Sequence, residues 1–169
     1  TLAMHIVHRY SDFVPVIVPV IEVLQVLELG ECDFNAGESM MAAFVQRKYP
    51  QHAHLLIQMM LLRRVVFLVD GIDESGTHRQ AVQAFVTVEL LKRDHKTIIT
   101  SRHSGFSSDA FQQCRLVELR PLSAEHQAQM VHARVLDGQK AEQLVQELST
   151  AAFKEIASSP LMLTMMISV

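Results

Sequence analysis

The stretch Val65-Val-Phe-Leu-Val-Asp-Gly-Ile-Asp-Glu74 decides the fold. Its five leading apolar residues stand between Arg63-Arg64 and Asp70-Gly71. A short, uninterrupted apolar run bounded in this way predicts a central strand of a parallel sheet, buried on both faces. Asp70 falls at the carboxyl end of that strand, and Gly71 permits a sharp turn. Asp73 and Glu74 follow at once. Three acids in five residues at the end of a buried strand point to a cationic partner or a proton transfer, because uncompensated charge near a core is costly. A hydrated magnesium ion suits Asp70, and Asp73 or Glu74 suits the polarising of a water. The competing explanation is a solvated strand-to-helix turn in which an aspartate caps the helix.

Working outward, Leu2, Ile6 and Tyr10 recur at helical spacing, as the tail of a helix broken by Ser11-Asp12. Phe13 to Leu29 is rich in β-formers, with Val14, Val16, Val18 and Val20 alternating. Pro15 and Pro19 confine such a strand to a sheet edge. Asn35 and Glu38 have the spacing of a capping box for a helix to Tyr49, and a second helix is expected from His52 to Leu62. Beyond the central strand, helical periodicity runs from His78 to Lys92, and Thr97 to Thr100 forms a β-branched run. Leu116 to Leu119 suggests one more strand. From Ser123, a plausible cap, the chain reads as helical to its end, with Gly138 as a break. Alternating strands and helices predict a parallel, doubly wound α/β sheet over residues 1–122, with a helical subdomain over 123–169.

The second chemical element is Lys96-Thr-Ile-Ile-Thr-Ser-Arg102. In a doubly wound sheet both strand ends open onto one crevice, so Arg102 would share with Asp70 the charge of a bound phosphate. Arginine's planar fork suits phosphate oxygens. A surface salt bridge is the alternative for this arginine.

Charge and composition narrow the partners. A chain of 169 residues with a 49% apolar share has enough material for one sizeable core. Fifteen basic and eighteen acidic residues are spread without a basic block, which argues against nucleic-acid binding. Two distant cysteines, Cys32 and Cys114, give neither a disulfide framework nor a zinc spacing, and favour a cytoplasmic setting. Phe13 to Ile21 is too short to span a bilayer, and no secretory signal pattern opens the chain. Nine histidines lack a carboxylate or cysteine at ligand spacing, and Ser101 or Ser104 beside His103 lacks a nucleophile elbow. Met59, Met60, Met162, Met165 and Met166 fit core filling at helical spacing, with a partner-binding surface as the alternative.

On these motifs, Val65 to Glu74 resembles the Walker B segment of NACHT ATPases, which are P-loop NTPases of the signalling type. Thr100-Ser101-Arg102 resembles their sensor strand, Leu116 to Ser123 their last core strand and its exit, and Ser159-Pro-Leu-Met-Leu163 the Pro-Leu segment of their helical subdomain. The resemblance implies a three-layer P-loop NTPase fold and an ATP- or ADP-binding switch that works with magnesium and drives self-association. It implies that Asp70 organises the metal and that Asp73 and Glu74 supply the acidic catalytic group. Ser101 and Arg102 would read the terminal phosphate, and Pro160 would pack near the adenine. None of the six glycines is followed by Lys-Ser or Lys-Thr, so the phosphate-binding loop is not in this sequence. In the family that loop precedes the helix matched by Leu2 to Tyr10, and its strand lies between the sensor strand and the last strand. The expectation is a truncated domain whose loop and first strand lie before Thr1, weak in nucleotide binding alone. A non-catalytic interaction module with the same fold and an AAA-like ATPase fragment are the rival expectations.

Overall fold

The computed structural model describes residues 2–30, 39–102 and 108–168. The chain divides into two units, Thr1–Cys114 and Arg115–Val169. The first is a mixed α/β unit built on a three-stranded parallel sheet in the order β1-β2-β3. Helix α1 (Leu2–Arg9) leads to β1 (Val14–Pro19), then α2 (Val20–Glu28), α3 (Met40–Lys48), α4 (Ala53–Leu61) and β2 (Val65–Asp70). A 3-10 turn (Ile72–His78), α5 (Arg79–Ala84) and a π-helical continuation (Phe85–Leu91) return the chain to β3 (Lys96–Ile99).

The apolar run at Val65 takes the central position it predicts, with β1 on one side and β3 on the other. Register pairs Val16 with Phe67 and Phe67 with Thr97, so alternate residues face a common core. Val16, Val18, Val65, Phe67 and Val69 are buried there with α2 residues Val20, Val23 and Val26 and with Phe44, Phe85 and Leu90. Each such side chain contributes about 1.5–3 kcal/mol by leaving water. The other face carries Ile17, Leu68 and Ile98, which line a cleft of about 280 Å³ with Leu2 and Ala3 of α1. Helices therefore occupy both faces of the sheet. Pro15 and Pro19 sit in β1, an edge of this sheet, where a missing backbone donor is tolerated.

Two expectations change. The β-rich reading of Phe13 to Leu29 holds only to Pro19, because Val20, Val23, Leu24 and Val26 are buried at helical spacing and packing overrides β-propensity. Leu116 to Leu119 forms no strand, and Leu116, Val117 and Leu119 are exposed. The sheet of the first unit is completed by β1, β2 and β3, and this segment is not among its strands. The expected caps at Asn35 and Glu38 lie outside the described residues. The observed N-cap of α3 is Ser39, whose hydroxyl accepts from the Ala42 N–H.

That helix start is also gripped from a distance. Glu89, 6% exposed within the π-helical segment, accepts from Ser39 Oγ at 2.7 Å and from the N–H groups of Met40 and Met41 at 2.9 and 3.2 Å. A buried carboxylate thus neutralises the positive end of α3 and satisfies donors that no helix can satisfy itself.

The second unit holds α6 (Ala124–Arg134), α7 (Gly138–Leu148), α8 (Ala151–Ala157) and α9 (Pro160–Ser168) around Val131, Ala141, Leu148, Ala157 and Leu163. Ser123 caps α6 as its sequence suggests, accepting from the His126 N–H. The unit begins at Arg115, and Leu122 donates its N–H to the Ser158 carbonyl and packs on this second core. Met60 is buried in the first unit, whereas Met162 and Met165 are exposed on α9. Among the described residues no helix is long and apolar enough to cross a membrane.

Candidate functional site

The carboxyl ends of β2 and β3 are tied together beyond the ladder. Thr100 donates its N–H to the Val69 carbonyl at 2.9 Å, and Ile72 donates its N–H to the Thr100 carbonyl at 3.1 Å. Between these bonds the chain turns at Gly71, whose φ of 77° lies in the left-handed region that glycine adopts without a Cβ clash. A Cβ there would stand 3.1 Å from the Glu74 carboxylate, which folds back over the turn. The turn therefore needs glycine for its backbone conformation, while the half-exposed Glu74 side chain has room to yield the few tenths of an ångström that a Cβ would ask.

Thr100 forms the link between the two strand ends. Its hydroxyl donates to Asp70 Oδ1 at 2.5 Å and accepts from the Gly71 N–H at 3.0 Å. The Asp70 carboxylate, exposed at the mouth of the cleft on the Ile17–Leu68 face, is thereby fixed in orientation. The neighbouring link is Asp73 to Arg102. The Arg102 N–H donates to Asp73 Oδ1 at 3.1 Å, while its Nε stands 3.6 Å from Asp73 Oδ2. Arg102 Nη2 lies 4.0 Å from Glu74 Oε1. Asp73 is only 11% exposed, whereas the Arg102 side chain is 79% exposed. The carboxylate is the fixed partner and the guanidinium the movable one.

Asp70, Asp73, Glu74 and Arg102 are thus gathered at one place, on the two strand ends that carry them in the sequence. Ser101 is adjacent and exposed, and its hydroxyl donates to the Arg102 carbonyl at 2.9 Å. Pro160 stands apart from this group, as the first residue of α9 in the second unit. It occupies the helix position at which proline's missing N–H costs nothing. Thr100 belongs to the sensor-like Thr100-Ser101-Arg102 run without a role of its own there, and a hydroxyl at the end of a β-branched run beside an acidic strand end is the signal for the link it makes.

Among the described residues, no three of His, Cys, Asp and Glu converge to enclose a metal ion. Magnesium does not require such a cage, since it keeps several waters and takes one or two carboxylates together with substrate phosphates. An exposed carboxylate held in one orientation, as Asp70 is, fits that donor set. No protein-family model, curated protein or solved structure matches the chain.

Proposed function

We propose that the first unit carries the magnesium-binding and phosphate-sensing half of a nucleotide-controlled switch of the NACHT type, on a P-loop NTPase sheet. The observation that supports this most is the joining of the two strand ends: Thr100 orients Asp70 while Asp73 holds Arg102 by backbone and side chain. In this reading Asp70 holds water-coordinated magnesium beside ATP or ADP. The ion would supply charge neutralisation at the β- and γ-phosphates. Glu74, beside Asp73 and half exposed, orients a water for attack. Arg102 makes contacts of 3.6 and 4.0 Å, longer than a tight ion pair, and exchanges its carboxylate partners for the terminal phosphate. Release of Asp73 and Glu74 then reports the presence of that phosphate to the turn after β2. Changes at this turn would favour one arrangement of a helical subdomain and self-association.

Thermal unfolding with magnesium and millimolar ATP or ADP tests the proposal. Stabilisation greater with ATP, lost in Asp70→Ala, and equal for the two nucleotides in Arg102→Ala is expected. No stabilisation of the parent by either nucleotide refutes the reading. A second reading, a non-catalytic interaction module, is favoured by one feature: Arg102 faces carboxylates of its own chain, so the strand ends neutralise one another without a ligand. Equal behaviour of parent and both variants with nucleotide supports that second reading.

A further inference from the structure

At the amino ends of β2 and β3, opposite the carboxyl-end site, a second polar cluster lies inside the first unit. His95, 8% exposed, immediately precedes β3, and Arg63 lies two residues before β2. His95 Nε2 is 3.1 Å from Arg63 Nη1, and the same guanidinium nitrogen donates to the Met60 carbonyl at 3.4 Å. The imidazole packs edge-on against Phe67, with ring centroids 5.1 Å apart. Arginine offers only donors and stays charged, so Nε2 is the accepting, unprotonated nitrogen and the ring hydrogen resides on Nδ1. Nδ1 is buried without a hydrogen-bond partner.

Both residues belong to tight turns: Arg63 and Asp94 each have a φ of 58°, a conformation that costs non-glycine residues about 1–3 kcal/mol and persists only where the surroundings hold it. Three charged groups face the imidazole. Arg63, from the turn before β2, and Arg93, from the turn before β3, oppose a positive charge, and Asp94 favours one. Phe67, from β2 itself, offers no compensation.

We propose that neutral His95 is a pH-sensitive latch that joins the turn entering β2 to the turn entering β3 and opens on acidification. A proton on Nε2 replaces the acceptor with an N–H pointing at a guanidinium, which removes the bond and sets two cations side by side. Burial, then Arg63 and Arg93, hold the histidine pKa below its ordinary value against the weaker pull of Asp94. The folded chain therefore binds this proton less readily than the unfolded chain. The latch stabilises fully above the unfolded histidine value of about 6.5 and is lost as pH falls from there through the lower folded value.

Urea unfolding of the whole chain between neutral and mildly acidic pH, for parent and His95→Gln, tests the latch. Glutamine accepts from Arg63 through its carbonyl but does not titrate, and contributions from the other histidines cancel in the comparison. Below about pH 6.5 the folding equilibrium of the parent should fall relative to the variant by up to about tenfold per pH unit. Parallel profiles overturn the proposal. Nitrogen NMR of the imidazole in the parent gives a second reading that needs no folded variant. An unprotonated Nε2 that persists below the ordinary imidazole value of about 6.5 is expected, and a ring protonated on Nε2 at neutral pH, or gaining its proton at or above that value, contradicts the latch.

Discussion

Replacing Glu89 with alanine removes the acceptor of three hydrogen bonds at once, from Ser39 Oγ and from the N–H groups of Met40 and Met41. A hydrogen bond to a charged acceptor contributes about 1.5–3 kcal/mol. The three share one carboxylate and are not additive, and the Ser39 hydroxyl is only partly buried and can turn to water. The two backbone donors at 2.9 and 3.2 Å are buried and have no such recourse, so the expected loss is about 3 kcal/mol. Against a total of about 5–15 kcal/mol for a domain, this is a large fraction. Glu89→Gln keeps the shape and one accepting oxygen, and should lose about 1–2 kcal/mol. Urea denaturation followed by far-ultraviolet circular dichroism measures both, with the midpoint moving at constant slope. A loss below about 0.5 kcal/mol for Glu89→Ala, the level of an ordinary surface change, would refute the claim that this carboxylate holds α3.

Other consequences follow from the strand ends. Gly71→Ala places a Cβ 3.1 Å from the Glu74 carboxylate at a φ of 77°, and should lower stability by about 1–2 kcal/mol in the same assay. Thr100→Val keeps the β-branched shape but removes the hydroxyl between Asp70 and the Gly71 N–H; because both ends are exposed, a loss of about 1 kcal/mol or less is expected, with a larger proportional loss of magnesium-nucleotide stabilisation. Arg102→Ala should change thermal stability by less than about 1 kcal/mol, since its ion pairs are long and the side chain is largely exposed, so any nucleotide defect in that variant reports on binding rather than folding.

The parts of the fold that were readable are those in which local pattern and tertiary role agree. Val65 to Val69 is apolar at every position because both faces of β2 are covered, and its flanking charges mark both ends. Asp70, Asp73, Glu74 and Arg102 were readable because polar residues cluster at the ends of apolar runs. Val20 to Glu28 misled because valine and isoleucine favour strands, while the burial of Val20, Val23, Leu24 and Val26 follows a helix. Leu116 to Leu119 carries the composition of a strand, yet its apolar side chains are exposed and it joins no sheet among the described residues. Glu89 and His95 were hidden for a different reason. Each is polar in a segment where polar residues usually face water, and their roles depend on partners 48 to 50 and 32 positions away. Thr100 lies between these cases, visible as a hydroxyl at a strand end but given its role by Asp70, 30 positions distant.

The central claim is that the carboxyl ends of β2 and β3 form one magnesium- and phosphate-reading site. Amide NMR of the chain titrated with magnesium-ATP tests it most directly, residue by residue. The account predicts perturbations concentrated at Asp70, Gly71, Thr100, Ser101 and Arg102, weakened when magnesium is withheld. Signals that stay unmoved at millimolar nucleotide, or that move only in the helices of the second unit, would contradict it.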